Sequence, residues 1–205
     1  MTSGLVDELP GIDGLRERWG REVVHCPYCH GWEVRDQAIG VLGTGPMSTH
    51  QALLFSQLSD DVVFLAHTSP PDDEQLEQLA ARGIEVVTGP VAGLEMTDDR
   101  LSGVRLEDGR VIPREAVAVA TRMVARADFL KGLGLTPVPH ASGMGEHFAA
   151  DPIGRSEVPG VWLADNVTDL AAQVGSSAAA GAMAGAQINM ELVTEETDQA
   201  VAVRR

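Results

Sequence analysis

Short apolar runs separated by polar turns fill the first part of the chain and predict a parallel β-sheet. Residues 38–42 form an apolar run that stops at a glycine, which is typical of a buried strand. A glycine-rich turn follows, then a helix to about residue 58 and a second apolar strand at 62–66. Because strand, turn, helix and strand in this order form a right-handed crossover, we expect the two strands to be parallel.

The same alternation continues through the middle of the chain. Residues 72–82 share an apolar face, carry acids in the first turn and end before a glycine, as a helix does. Strands are predicted at 84–87, within 101–112 and at 116–120, and an Asp-Gly pair inside the second of these segments marks a hairpin turn. The chain is therefore predicted to be an α/β protein.

A loop-rich stretch rich in Gly and Pro follows, and two further elements are predicted near the C-terminus. Residues 161–164 resemble a strand, and 175–193 form an Ala/Gly-rich helix whose small residues predict close packing against a sheet or a ligand. The acidic residues 194–205 are expected to form a disordered tail.

Composition narrows the class of protein. A chain of 205 residues with 44% hydrophobic content can bury a core in one domain or two small ones. No apolar run has the length of a membrane span, and the first residues lack the layout of a signal peptide, so we expect a soluble cytoplasmic protein. The net charge of −15 argues against nucleic acid as a partner.

The two cysteines are the strongest chemical signal. Cys26 and Cys29 lie in the run His25-Cys26-Pro27-Tyr28-Cys29-His30. A disulfide-stabilised secreted fold usually has more cysteines, and a closed zinc site needs four ligands. The two histidines could complete a Cys2His2 set, but residues adjacent to both cysteines do not easily converge on one ion. A metal site and a purely structural pair stay open as alternatives, and we favour a redox-active dithiol without metal.

Disulfide exchange needs a thiolate, so we expect this site to lower a thiol pKa. A helix that begins at the first cysteine would stabilise the thiolate, and Pro27 suits its first turn. His30, and less strongly His25, could move the proton of each thiol. The alternative for either histidine is a solvated or hydrogen-bonded side chain.

A second pattern, Gly43-x-Gly45-x-x-Ser48, lies between the predicted strand and helix. Its glycines permit a tight turn and a close approach of a pyrophosphate to the helix N-terminus. An acid or arginines after the next strand would read the ribose or its 2′-phosphate, and residues 66–70 contain neither. The alternative is a Rossmann-like unit whose nucleotide site has lapsed.

A C-x-x-C shortly before such a turn resembles the thioredoxin reductase family, where the dithiol lies in the pyridine-nucleotide domain. Residues 2–4 resemble the "A-T-G" that ends the first flavin-binding segment, and 159–167 resemble the "P-G-V-(F/W)-A-A-G-D-V" where the chain returns to the flavin domain. The helix after residue 173 resembles the segment facing the isoalloxazine ring. The resemblance implies FAD, with NADP(H) possible. It implies cofactor contacts from Gly43, Gly45, Ser48, Asp165, Asn166, Gln173 and Val174.

The histidine after the second cysteine is similar to that of the branch containing dithiol oxidases of the gliotoxin and holomycin type. These enzymes close a disulfide in a small molecule and pass electrons through flavin to oxygen, and the missing arginines agree with that branch. By analogy, Cys29 faces the flavin and forms the charge-transfer thiolate. Cys26 exchanges with substrate, and His30 is the acid/base.

Two departures from the family stand near the predicted flavin. Asp165 replaces a glycine and could crowd or repel it, whereas Asn166 replaces an aspartate and can still bind a ribityl hydroxyl. The chain also begins where the first flavin-binding segment should end. We expect either a second chain that supplies the missing half or a truncated product, which we favour. Its strand 161–164 and helix 175–193 are then expected to have an exposed edge and apolar face.

The resulting interpretation is a Rossmann-like domain with a parallel sheet and a β-hairpin, plus a partial FAD-binding Rossmann-like domain. The first covers 11–122 and carries the dithiol; the second comprises 1–10 and 123–193. The predicted function is disulfide/dithiol oxidoreduction with FAD and NAD(P)H on a thioredoxin-like or small-molecule substrate, by a possible homodimer. An oxygen-dependent dithiol oxidase and a non-catalytic remnant that binds a partner are the alternatives.

Overall fold

The computed structural model describes residues 1–204, and their side chains except at 128, 130 and 131. The chain divides into two compact units. The central unit is Leu9–Thr121, and the split unit joins Met1–Glu8 to the residues from 122 onwards.

The elements are numbered in chain order. The strands are β1 (Leu5–Glu8), β2 (Val23–Val24), β3 (Ile39–Leu42), β4 (Val62–Leu65), β5 (Glu85–Val87), β6 (Val91–Thr97), β7 (Arg100–Leu106), β8 (Val111–Ile112), β9 (Ala116–Val119), β10 (Arg122–Ala125), β11 (Val138–Pro139) and β12 (Glu146–His147). The α-helices are α1 (Pro27–His30), α2 (Ser48–Phe55), α3 (Asp73–Ala81) and α4 (Val174–Val203), and Asp128–Leu133 is a 3-10 helix.

A five-stranded parallel sheet forms the centre of the central unit. Its strand order is β2-β9-β3-β4-β5. The predicted crossover is confirmed, because β3 and β4 pair in parallel with Ile39 opposite Val62. Every residue of β3, β4 and β9 is buried, as expected for a parallel sheet that is covered on both faces.

Two hydrophobic clusters cover the sheet. One contains Leu42 and Leu65, which are at most 1% exposed, and the other contains Val41 and Phe64, which are equally buried. Side chains of neighbouring strand residues point to opposite faces, so each strand contributes to both clusters. The carboxyl ends of β2, β9, β3 and β4 are thereby fixed side by side.

A three-stranded antiparallel sheet, β6-β7-β8, completes the central unit. The predicted hairpin around residues 108 and 109 is present as β7 and β8. Strand β6 was not predicted. It turns into β7 through Asp98 and Asp99, both left-handed with φ of 52° and 57°, and an Asp-Asp pair is a weaker turn signal than Asp-Gly.

The split unit has two small antiparallel sheets, β1-β10 and β11-β12. Phe148, Leu163 and Val167 are at most 1% exposed and form its core. The predicted strand at 161–164 is wrong, because this segment makes only an isolated bridge between Arg155 and Trp162. Its backbone also bonds to Met1, whose amino group donates to the Trp162 carbonyl and whose carbonyl accepts from Ala164 N at 3.0 Å. The Leu163 amide donates to the Gly154 carbonyl at 2.7 Å, within a loop and not within a sheet.

Helix α4 is longer than predicted and largely uncovered. It runs to Val203, so 194–203 is helical and the expected disorder there is wrong; residue 205 lies outside the described residues. Ala184 is its one buried residue, and Met190, Leu192 and Val193 are more than half exposed. The predicted exposed apolar face is present, whereas close packing along the whole helix is not. No helix within residues 1–204 is long and apolar enough to cross a membrane.

Candidate dithiol site

The dithiol lies where β2 ends and α1 begins. Cys26 has the extended backbone of an N-cap residue, and Pro27 is the first residue of α1, as predicted. The amides of Cys29 and His30 donate to the Cys26 carbonyl at 3.2 and 3.0 Å. Proline needs no partner for an N–H it lacks, so it is well placed in this first turn.

The two sulfurs are in position to form a bond. Both cysteines are free, and their Sγ atoms lie 2.7 Å apart. A disulfide is about 2.05 Å long, so the sulfurs need to approach by well under 1 Å to close it. Cys26 is half-buried and Cys29 is exposed.

The site does not lower the pKa of Cys29. The pKa of Cys29 is raised to about 11, first by burial of the thiol and then by the hydrogen bond to Cys26 and the charge on it. Our expectation that the site lowers a thiol pKa is therefore wrong for Cys29. Helix α1 has only four residues, so its N-terminus does not offset the burial of the thiol and the neighbouring sulfur. Cys29 thus keeps its proton at neutral pH.

The flanking histidines have different surroundings. His25 Nδ1 lies 3.1 Å from the Val119 carbonyl, which can only accept, so Nδ1 carries a hydrogen and Nε2 is the atom free to take a proton. His30 is exposed, and its side chain makes no hydrogen bond within the described residues. His25 is the better fixed of the two, whereas His30 can move.

The predicted nucleotide turn follows β3. A Cβ on Gly43 would lie 2.7 Å from the Ala66 carbonyl oxygen, so only glycine fits, while Gly45 borders open space. The amides of Thr44 and Gly45 donate to Ser48 Oγ at 3.1 and 3.2 Å, and Ser48 is fully buried. Two of the donors that would face a pyrophosphate are therefore already bonded within the turn.

The residues that follow β4 also make hydrogen bonds within the protein. His67 is left-handed with φ of 40°, and its Nδ1 accepts from Val91 N at 3.0 Å. Burial lowers the pKa of His67, which keeps the imidazole neutral. Residues Thr68 and Ser69 donate their amides to the Gly43 carbonyl. This segment supplies no positive charge, so it does not fit a 2′-phosphate.

The residues predicted to approach a flavin belong to the split unit. Asp165 has φ of 82°, a conformation that glycine adopts without strain and that aspartate tolerates better than most residues. The Oδ1 atom of Asn166 is buried and has no hydrogen-bond partner. Ser3 Oγ is unpaired in the same way. These unpaired oxygens fit hydroxyl groups such as those of a ribityl chain.

Gln173 and Val174 form the start of α4. Gln173 is the N-cap, and its carbonyl accepts from Ser177 N at 2.9 Å. Val174 is 87% exposed. The first amides of a helix lack partners within it, so this end offers donors to a bound group. Both residues are thus available to a cofactor, and their contact with one stays a prediction.

Two central-unit residues were missed by the sequence analysis. Thr44 Oγ1 donates to the Ala120 carbonyl at 3.0 Å, which joins the ends of β3 and β9. Gln51, on α2, donates from Nε2 to the His25 carbonyl at 2.6 Å, one residue before the dithiol. The spacing of Gln51 from Ser48, one helical turn, is the only signal in the sequence.

Comparisons with known proteins agree with this geometry. The family model of the pyridine nucleotide-disulphide oxidoreductases matches residues 2–192. The chain is 27% identical to the thioredoxin reductase tcpT of Claviceps purpurea, over 97% of this chain and 63% of that one. It is 28% identical to the thioredoxin reductase sirT of Leptosphaeria maculans, over 93% and 62%.

Solved structures give the same result. The crystal structure of HlmI superposes with a TM-score of 0.87 at 44% identity, covering 98% of this chain and 62% of that one. An oxidoreductase from Agrobacterium tumefaciens gives 0.82 at 33% identity, covering 93% and 63%. The chain spans just under two thirds of the length of these relatives.

Proposed function

We propose, on the premise that this chain belongs to the pyridine nucleotide-disulphide oxidoreductase family, that it carries the exchange centre of an FAD-dependent disulfide/dithiol oxidoreductase. The observation that carries the proposal is the Cys26–Cys29 pair, with free sulfurs 2.7 Å apart at the end of a parallel sheet. Relatives named thioredoxin reductases support the same chemistry.

The exchange uses both sulfurs in turn. The Cys26 thiolate attacks a substrate disulfide, forming a mixed disulfide and releasing one substrate thiolate. Cys29, which keeps its proton until then, loses it to a base and attacks Cys26 Sγ. The second substrate thiolate leaves, and the Cys26–Cys29 disulfide remains. We assign the base to His30 or to Nε2 of His25. A dithiol substrate is oxidised by the same steps in reverse.

FAD, when bound, supplies a two-electron carrier that restores the pair after each turnover. On this chain we assign its binding to Asn166, Asp165 and the start of α4 at Gln173 and Val174. The unpaired Asn166 Oδ1 supports the assignment, because it accepts a hydroxyl at no loss of an existing bond. Asp165 bears a negative charge there, which weakens the affinity relative to glycine.

The second redox partner has two candidates. NAD(P)H agrees with the family and would bind at Gly43, Gly45 and Ser48. Oxygen, as in a small-molecule dithiol oxidase, is favoured by two observations. Ser48 Oγ already accepts from the turn amides, and neutral His67 stands where a cation would bind a 2′-phosphate.

Disulfide trapping tests the exchange. The full chain, reduced and then incubated with 4,4′-dithiodipyridine, should release two thiopyridone molecules and lose two hydrogens by mass spectrometry. A Cys29→Ser variant should stop at one thiopyridone with Cys26 modified. If the wild-type chain instead gains two stable adducts and forms no internal disulfide, the proposed exchange is wrong.

Absorbance tests the cofactors. After incubation with FAD and gel filtration, the chain should retain a band near 450 nm, and Asn166→Ala should weaken the retention. Anaerobic NADPH then bleaches the band if the nucleotide is the partner, and leaves it unchanged if oxygen is. Complete loss of FAD on the column would favour the third possibility, a binding module without catalysis.

The substrate is proposed to be a thioredoxin-like protein or a small dithiol, and the assembly a homodimer in the cytoplasm. Sedimentation of the purified chain tests the dimer: a mass near 43 kDa, twice the 21.7 kDa of one chain, supports it. A single 21.7 kDa species at micromolar concentration would rule it out for this chain.

A further inference from the structure

Gln51 is a buried polar residue whose position is hard to explain by packing alone. Its side chain is 7% exposed, and its Nε2 donates to the His25 carbonyl at 2.6 Å. Its Oε1 is buried without any hydrogen-bond partner. An unpaired buried oxygen destabilises the fold, so an apolar side chain of the same length would fill this space better.

The hydrogen bond of Gln51 acts on the peptide that leads into the dithiol. The His25 carbonyl belongs to the His25–Cys26 peptide group, and the His25 ring is held separately by Val119 O at 3.1 Å. With ring and carbonyl both fixed, the peptide plane cannot rotate freely. The direction in which Cys26 leaves the sheet is therefore set by two bonds, one from β9 and one from α2.

The helix that supplies Gln51 is itself fixed at its start. Ser48 receives the amides of Thr44 and Gly45, and the Gln51 amide donates to Met47 O at 2.9 Å. Gln51 lies one turn further along the same helix. A rigid support therefore holds the donor that reaches the His25 carbonyl.

We propose that Gln51 is a positioning residue that favours the disulfide over the dithiol state of Cys26 and Cys29. The stability of a disulfide within one chain depends on how closely the fold holds the two sulfurs together. Holding the His25–Cys26 peptide limits the motion of Cys26 and keeps its sulfur near Cys29. The inference rests on the thiol–disulfide exchange proposed above.

A redox titration of the full chain tests this role. The chain is equilibrated with mixtures of reduced and oxidised dithiothreitol, so that the pair gains a sulfur–sulfur bond as the reagent disulfide takes up its two hydrogens. Gln51→Glu keeps the shape but loses the donor, and Gln51→Met removes polarity at similar length. Each should lower the equilibrium constant for disulfide formation by roughly three- to tenfold, because a less restrained Cys26 sulfur is less often close to Cys29. Gln57→Glu, an exposed position just after the same helix, should leave it unchanged.

The outcomes separate this inference from the proposed function. If the wild-type pair forms no disulfide at any reagent ratio, the exchange itself fails and the inference with it. If the wild type titrates normally and both folded Gln51 variants match it, only the role of Gln51 is overturned. If one variant does not fold, the other decides; if neither folds, Gln51 is a structural residue and the proposal is rejected.

Discussion

The central and split units differ in how much of their apolar surface each covers by itself. In the central unit, strands β3, β4 and β9 are buried throughout, between two clusters of side chains. In the split unit, 30 residues of α4 contribute one buried side chain. A parallel sheet needs cover on both faces, whereas a helix makes its backbone hydrogen bonds within itself. The dithiol lies in the unit whose sheet is buried on both faces.

The largest expected difference between the two units is in the stability lost when the same substitution, leucine to alanine, is made in each. Leu65→Ala removes a side chain that is 0% exposed and should cost about 2–5 kcal/mol in the free energy of unfolding. Leu192→Ala removes one that is 52% exposed and should cost less than about 0.5 kcal/mol. Guanidinium denaturation, followed by hydrogen exchange in each unit, measures both. Equal losses would mean that α4 is covered in solution.

A second variant tests the point where α4 is held. Trp162, 5% exposed, donates from Nε1 to Glu191 Oε2 at 3.0 Å. Glu191→Ala leaves this buried donor unpaired and should weaken the attachment of the helix by about 1–3 kcal/mol. Faster amide hydrogen exchange over residues 186–200 would show that the helix is less firmly attached. The exposed Glu195→Ala is the matched control, and an equal effect there would discount the Trp162 bond.

The reactivity of Cys29 tests whether the central unit alone determines the pKa of its thiol. Cys26→Ala removes the hydrogen bond and charge that help raise the pKa of Cys29 to about 11, while burial remains. The resulting fall in the pKa of Cys29 should speed its alkylation by iodoacetamide at pH 8, because a larger fraction of the thiol is ionised. Glu191→Ala, in the split unit, should leave the rate unchanged. If Cys29 is alkylated more slowly in the Cys26→Ala variant, the Cys26 sulfur does not raise its pKa.

The smallest effect concerns pH. Because burial lowers the pKa of His67, the folded state favours the neutral ring and the unfolded state binds the proton more readily. Stability from this residue is therefore present above about pH 6.5 and is lost as the pH falls below it. His67→Asn keeps an acceptor for Val91 N and should flatten the fall in melting temperature between pH 7.5 and pH 5. If the melting temperature of the variant falls with pH as steeply as that of the wild type, His67 is not the source of the pH dependence.

Local patterns were sufficient for the central sheet and insufficient for what depends on neighbours. Strands β3 and β4 and helix α3 fall within one or two residues of their predicted bounds, because apolar runs and capping residues are local signals. Residues 161–164 have the same apolar character but no neighbouring strand among the described residues. A strand needs a neighbouring strand to bond with, and the sequence of the segment itself does not show whether that neighbour exists.

The candidate site divides in the same way. Cys26, Cys29 and the turn at Gly43 are recognisable from spacing alone. The bond from Gln51 joins elements far apart in sequence, so no local pattern predicts it. The raised pKa of Cys29 depends on the burial of its thiol and on the position of the Cys26 sulfur, which the folded structure sets. The part of Ser48 in binding a pyrophosphate stays a prediction, and the sequence does not reveal that its hydroxyl accepts from the two turn amides.

Gly43 has a consequence for how such chains evolve. Any side chain there would lie within 3.0 Å of three backbone carbonyl oxygens, those of Leu65, Ala66 and Ser69, whereas Gly45 faces open space. A saturation library selected only for folding should therefore retain glycine at 43 and accept many residues at 45. Selection for folding would preserve Gly43 even in a lineage that no longer binds a nucleotide. The amino acid at position 45 is therefore the better indicator of whether a lineage still binds one.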